Sequence, residues 1–297
     1  MTFDTILIPT DGSDPAEAAA QRGFDLAEQL KADVDILSVA DSSVATGTGY
    51  SGDSASIRSR LHEQATTHAT SLRTHAKECG LNVEAVVRNG IPAKEITDYA
   101  EESEPDLIVM GTAGRGGVAR AIVGSVTDKV VRTATVPVLT LNQAALNNDS
   151  GSVDSILLPT DGSDTAEAAA AYAVGLADQV DATVHYVSVV DKQATNGLGS
   201  FVGESDSSSR ADRFVEQAAA RVEQLSTTAT ERGVECVTAT ATGDPAEEIV
   251  AYATDHDIDL IAMGTHGRGS FERLLVGSVT DNVVRAATVP VLTVRDD

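Results

Sequence analysis

Short, almost wholly apolar runs alternate along the first half of the chain with longer stretches in which apolar residues return every three or four positions. The runs at 6–9, 34–39, 83–87, 107–110 and 136–141 have the length of strands and no alternating polar face. Within 15–31, Ala16, Ala20, Gly23, Phe24, Ala27 and Leu30 fall on one side, leaving Glu17, Gln21, Asp25 and Glu28 outward, which predicts an amphipathic helix. Strands apolar on both faces and separated by helices predict a parallel sheet covered on both sides. Asp14-Pro15-Ala16-Glu17 and Asp244-Pro245-Ala246-Glu247 mark helix starts, with a capping acid, a proline at the first helical position and a glutamate beyond it. Asp14 and Asp164 are therefore read as caps, without chemistry.

The pattern is written twice. ILIPTDGSDPAEAAA at 6–20 returns as ILLPTDGSDTAEAAA at 156–170, an offset of 150, and GSVTDKVVRTATVPVLT at 124–140 returns as GSVTDNVVRAATVPVLT at 277–293, an offset of 153. The three added residues fall in a Gly/Ser/Thr-rich region of tolerant loop composition; the loops 41–56 and 191–209 either cover a ligand or meet partners. Two tandem Rossmann-like, doubly wound α/β domains are expected at 1–142 and 153–297, each a five-stranded parallel sheet flanked by helices, with 143–152 as linker. The last strands, 136–141 and 289–294, are apolar sheet edges, with Pro137 and Pro290 in positions that suit an edge. Pairing them across the two domains would make a pseudo-dimer inside one chain, and two chains could then associate as a homodimer.

Composition narrows the function. Asp and Glu number 45 against 21 Lys and Arg, a net charge of −24, and only five of the cations are lysine. A basic footprint for nucleic acid is absent, and such a charge repels DNA and anionic membranes. Dispersed acid with scarce lysine resembles proteins of halophiles that accumulate salt, where screening shortens the Debye length to about 3 Å at 1 M; an ordinary acidic cytosolic protein is the alternative. No apolar run reaches the roughly 18 residues of a membrane helix and the N-terminus lacks signal-peptide character, so a soluble cytoplasmic protein is expected. Cys79 and Cys236 are not equivalent in the repeat, since Cys79 maps onto Arg232, and read as buried or half-buried free thiols. The six histidines have no metal-ligand spacing, so no structural zinc is expected.

Candidate chemistry gathers where the strands end. After strand 1 come Pro9-Thr10-Asp11 and Pro159-Thr160-Asp161. After strand 4 come Met110-Gly111, Gly114-Arg115-Gly116, and Gly124-Ser125-Val126-Thr127, matched by Met263-Gly264, His266-Gly267-Arg268-Gly269 and Gly277-Ser278-Val279-Thr280. Glycine lets backbone N–H groups approach an anion, a helix N-terminus adds free amides and a favourable dipole, and the Ser and Thr hydroxyls add donors, which together suit a triphosphate. Arg115 and Arg268 either reach phosphate or face solvent beside surface acid. The G-x2-G-x9-G-S spacing, the PTDGS entry after strand 1 and the terminal VPVL strand resemble the universal stress protein family over nearly the whole chain, more specifically its tandem ATP-binding branch. The resemblance implies a five-stranded parallel domain, Asp11 and Asp161 near the adenosine, and the backbone of Val39–Ala40 and Val189–Val190 against adenine. It also implies Gly111 and Gly264 at the ribose, with Gly114, Gly124, Ser125 and Gly267, Gly277, Ser278 around the phosphates. The first copy has Ala113 where the second has His266, and Gly117 in place of Ser270, so the second site is expected to be the tighter of two; occupation of a single site is the alternative.

Catalysis has less support than binding. The P-loop signature, the kinase motifs and the SGGxDS loop of ATP pyrophosphatases are all missing, and the first lysine after Gly114 is Lys129, inside a helix pattern. Asp11 and Asp161 could hold Mg2+ through nucleotide oxygens, but one acid per site predicts at most slow hydrolysis. The leading expectation is a cytoplasmic ATP-binding stress-response protein, a sensor or regulator acting on an unknown protein partner. A nucleotide-free interaction or dimerisation module is the alternative, and a slow ATPase the third reading.

Overall fold

Ile6, Leu7 and Ile8 are each 0% exposed, so the first strand is enclosed on both faces, as its unbroken apolar run predicts. The computed structural model describes residues 1–42, 54–112, 124–148, 151–192, 204–266 and 276–295, and the chain divides between Ser152 and Val153 into two units of one design. The first contains β1 (Thr5–Thr10), α1 (Asp14–Leu30), β2 (Asp33–Asp41), α2 (Ser54–Glu78), β3 (Val83–Gly90), α3 (Pro92–Ser103), β4 (Leu107–Gly111), α4 (Ser125–Thr133), β5 (Val138–Leu141) and α5 (Gln143–Asn147). Its strands lie in the order β3-β2-β1-β4-β5, all parallel. The second contains β6 (Ser155–Pro159), α6 (Asp164–Val180), β7 (Thr183–Asp191), α7 (Glu204–Thr230), β8 (Cys236–Gly243), α8 (Pro245–Asp255), β9 (Leu260–Gly264), α9 (Ser278–Ala286) and β10 (Val291–Val294). Its order is β8-β7-β6-β9-β10, again all parallel. Helices α1 and α2 touch each other on one face and α3 and α4 on the other, the outcome of right-handed crossovers that reverse direction at β1.

Several boundaries differ from the sequence reading. The last strands start at Val138 and Val291; Pro137 and Pro290 stand just before them and offer only carbonyls, which accept from Ile108 N and Ile261 N at 3.0 Å. The expected linker begins as a helix: Asn142 Oδ1 accepts from Ala144 N and Ala145 N at 2.9 Å, and Ala145 is buried. Ser13 and Ser163, not Asp14 and Asp164, occupy the N-cap positions; the two aspartates are first-turn residues that act on the helix dipole, and Pro15 accordingly follows the first helical residue. Ala16 is only half-buried, while Leu26 joins the inward face of α1. Cys79 is exposed, contrary to expectation, and Cys236 is half-buried, with burial pushing its thiol up. Among the described residues no helix is long and apolar enough to cross a membrane.

The copies differ most clearly around one tyrosine. In the first unit Tyr99 of α3 donates to Asp35 Oδ2 of β2 at 2.9 Å, and the Arg88 guanidinium of β3 lies 4.8 Å above its ring while pairing with Glu102. Burial raises the Asp35 carboxyl, the Tyr99 bond opposing it and Glu84 and Asp33 adding to it; the Tyr99 hydroxyl, mainly by burial, is pushed up to about 12. In the second unit His185 stands for Asp35, with Nδ1 3.1 Å from the Tyr252 hydroxyl, and His256 stacks on Tyr252 at 3.8 Å where the first copy has Ser103. Burial, then the neighbouring His256, lowers the His185 imidazole.

The signs follow. A depressed His185 leaves the unfolded chain holding more protons just below pH 6.5, so the second unit loses stability as pH falls through that range, whereas the raised Asp35 stabilises the first unit toward acid. Urea unfolding between pH 7.5 and 5.5 is expected to show the loss, and His185→Asp to remove that part of the slope. Asp244 Oδ1 caps α8 by accepting from Ala246 N and Glu247 N, while exposed Ile91 at the equivalent N-cap of α3 makes no side-chain bond. Asp244→Ala should cost about 1 kcal/mol and Ile91→Asp should add about as much in denaturant melts.

Candidate functional site

The chain leaves β1 and β4 toward opposite faces, so the carboxyl ends of these strands, and of β6 and β9, border a crevice. After β1, Gly12 adopts φ +71°, and its N–H donates to Thr10 Oγ1 at 3.0 Å. Asp11 Oδ1 accepts from Ser13 N at 3.0 Å and from the Ser13 hydroxyl at 2.6 Å. The second unit repeats the turn: Gly162 has φ +71°, its N–H reaches Thr160 Oγ1 at 3.1 Å, and Asp161 Oδ1 accepts from Ser163 N at 3.0 Å. Ser38 and Ser188, buried on the neighbouring strands, donate to Thr10 O and Thr160 O at 3.1 and 3.0 Å and fix each turn to its sheet.

A second frame forms at the end of β4 and β9. Thr112 N donates to Leu141 O and Gly124 N to Thr112 O; Thr265 N and Gly277 N repeat this with Val294 O and Thr265 O. Thr127 Oγ1 donates to Gly111 O, and Thr280 Oγ1 to Gly264 O, each at 2.8 Å. These two hydroxyls, expected as donors toward a ligand, therefore direct their hydrogens to the strand ends and hold the helix starts in place. Gly124 and Gly277 are the N-caps of α4 and α9, and neither helix has a side-chain cap, so the N–H groups of the first turn keep their capacity for an anion. Ser125 and Ser278 are exposed beside them, and Val126 and Val279 are half-buried.

In the second unit the two frames enclose a cavity of about 480 Å3. Pro159, Thr160 and Asp161 line one side and Met263, Gly264 and His266 another, with Val189 and the start of α9, Gly277 to Thr280, completing the wall. Val190 is not part of it. His266 Nδ1 lies 2.8 Å from Thr265 Oγ1, its Nε2 is buried, and its carbonyl accepts from Thr165 Oγ1 of α6. The sequence reading missed Ser163, Ala166, Asp191, Pro245 and Ile249, all on the wall. The Asp-Pro-Ala-Glu start of α8 carried the signal for two of them, since helix starts collect at the carboxyl ends of strands. Asp191, like Asp41, ends strand 2 of its copy. Asp161 and Asp191 make this side of the cavity acidic, and no lysine or arginine is among the described lining residues.

In the first unit Pro9 and Met110 are buried, Thr10 is 6% exposed, and Asp11 and Gly111 are half-buried at the same strand ends. Val39 is half-buried and Ala40 buried near the end of β2. Gly114, Arg115, Gly116, Gly267, Arg268 and Gly269, with Ala113, Gly117 and Ser270, lie outside the described residues. Within the described residues no group of three or more His, Cys, Asp or Glu is placed to hold a metal ion.

A parallel, doubly wound sheet with glycines at its carboxyl-end crevice, built twice in one chain, defines a tandem Rossmann-like α/β protein. The pattern of the universal stress protein family matches residues 2–142 and 152–295, and the chain belongs to that family. A universal stress protein of Methanocaldococcus jannaschii is 35% identical over 141 residues, which cover 48% of this chain and 83% of the relative. One from Synechocystis sp. is 25% identical, with 98% of this chain and 99% of the relative aligned. The crystal structure of a universal stress protein from Archaeoglobus fulgidus shares the fold with a TM-score of 0.72 at 21% identity, covering 99% of this chain and 97% of that one.

The frame is intolerant at one point. A Cβ on Gly264 would lie 2.8 Å from the backbone carbon and oxygen of Thr165, so α6 would have to retreat. Gly264→Ala should cost about 1–3 kcal/mol in denaturant unfolding of the second unit, more than Ser278→Ala on the exposed edge of the same cavity.

Proposed function

We propose that the protein binds an adenine nucleotide, ATP with Mg2+, at the carboxyl end of each sheet, and that occupancy biases its conformation or its choice of protein partner. The reading makes it a cytoplasmic sensor or regulator in a salt-rich cell rather than a turnover enzyme. The observation that carries it is the second-unit cavity, where the uncapped start of α9 faces the same space as Gly264 and the Thr160–Asp161 turn. Its volume falls within the roughly 300–1,000 Å3 of small-molecule sites. Phosphate oxygens suit the N–H groups of Ser278, Val279 and Thr280, which a helix start leaves to accept an anion. Val189 and Ile249 offer apolar surface to a base, and the Asp161 and Asp191 carboxylates suit ribose hydroxyls or a nucleotide-bound magnesium ion. The first unit builds the same hydrogen-bonded frame from Thr10, Gly12, Gly111, Gly124 and Thr127, which supports a second site there. The scarcity of cations on the described wall supports binding without efficient phosphoryl transfer, which needs a charge clamp on the terminal phosphate. Dispersed acid and a net charge of −24 support a salt-rich interior.

Calorimetric titration with ATP and Mg2+ in about 1 M KCl tests the reading. Two equivalents are expected, with Gly114→Asp and Gly267→Asp each removing one by setting a carboxylate in a phosphate loop, and with turnover far below about 1 s−1. Absence of binding to well-folded protein would instead support the nucleotide-free interaction module.

A further inference from the structure

Strands β3 and β8 occupy the same place in their units, each at the end of its sheet order. Among the described residues β8 has a strand neighbour on one side only, β7. The two strands differ in one respect that matters at an edge. β3 carries Glu84, which is exposed, and Arg88, which is tied to Glu102 across the ring of Tyr99. The matching positions of β8 are Val237 and Ala241, so both charges are gone. In a chain of net charge −24, β8 reads CVTATATG, eight residues with neither charge nor proline. Val237 is 41% exposed, and Thr238, Thr240 and Thr242 are exposed with it. Charge and proline are what natural edges use to refuse another strand, and β-branched residues are what a pairing strand favours.

The segment is also its own complement. Thr238-Ala239-Thr240-Ala241-Thr242 reads the same in both directions about Thr240. A twofold axis at Thr240 would set two copies antiparallel, with Thr240 opposite Thr240, Ala239 opposite Ala241 and Thr238 opposite Thr242. That is the reciprocity an isologous interface requires, and threonine pairs are favourable cross-strand neighbours. We propose that the outer edge of β8 pairs antiparallel with β8 of a second copy of this chain, centred on Thr240. The acidic surfaces of two copies repel one another, so the uncharged strand is their route of approach, and added salt tightens the contact.

Sedimentation equilibrium of the full chain at about 0.15 and 2 M KCl tests this. The expected result is a concentration-dependent dimer that salt tightens and that Thr240→Glu, which sets like charges face to face, weakens at least tenfold at low salt. Register is read separately in a Cys79→Ser, Cys236→Ser background. Thr240→Cys should cross-link to its copy under mild oxidation, because opposed residues stand about 4.5–5.5 Å apart between Cα atoms, within disulfide reach. Thr238→Cys should not, since the two copies of that residue would lie roughly 14 Å apart. A monomer at both salt concentrations, a dimer indifferent to Thr240→Glu, or cross-linking of Thr238→Cys as readily as Thr240→Cys would overturn the proposal.

Discussion

At the carboxyl end of each sheet the arrangement depends on one hydrogen bond made twice, from the hydroxyl of Thr127 to the carbonyl of Gly111 and from Thr280 to Gly264. It joins the last residue of a central strand to the first turn of the helix that follows a long connection. With it in place the helix start points at the crevice, and its first N–H groups keep their capacity for a hydrogen-bond acceptor there. Without it the helix could slide along the sheet, and the Gly124 and Gly277 caps would lose their fixed relation to the strand ends. Both threonines are almost completely buried, where an unmade bond is costly and a made one correspondingly firm.

How much of this could be read from residues alone depends on what each residue contacts. The apolar runs announced their strands, because burial on both faces leaves no room for polar alternation. The repeat announced two units and the place of the glycines. Thr127 and Thr280 are legible as residues at the strand ends beside the crevice but not in their direction, since a threonine hydroxyl beside a glycine loop can turn either to ligand or to backbone. Asp14 looks like a cap because acid, proline and glutamate fit that grammar; Ser13, one position earlier, holds the N-cap backbone conformation, while its hydroxyl donates to Asp11. Asn142 made a helix out of a polar stretch that composition marks only as a connection. Asp191 was out of reach for another reason: it meets the glycines of the β9 end only through the sheet topology, across a long separation in sequence.

The two halves have diverged by substituting one solution for another rather than by decay. His68 of α2 leans over Gly12 in the first copy, whereas Arg221, its counterpart in α7, reaches Ser188 Oγ at 3.2 Å. Pro15 gives way to Thr165, whose hydroxyl then holds the carbonyl of His266. Each change alters which element braces the strand-1 turn or the strand-4 end while the turn itself keeps its two backbone N–H donations. A duplicated chain can therefore offer two crevices of one plan with different walls.

The tyrosine that sits between strand 2 and the third long helix of each copy carries a further consequence. Its ring is covered by arginine in one half and by histidine in the other, and its hydroxyl meets a carboxylate in one and an imidazole in the other. Histidine alone at position 35 would meet the Tyr99 hydroxyl with Arg88 still over the ring, and arginine alone at position 241, the counterpart of position 88, would compete with His256 for the ring of Tyr252. The halves are thus no longer interchangeable part by part. The identical PTDGS and GSVTD segments would pass unchanged between the repeats, whereas the neighbours of the tyrosine would pass only as matched sets, Asp35 with Arg88 and His185 with His256.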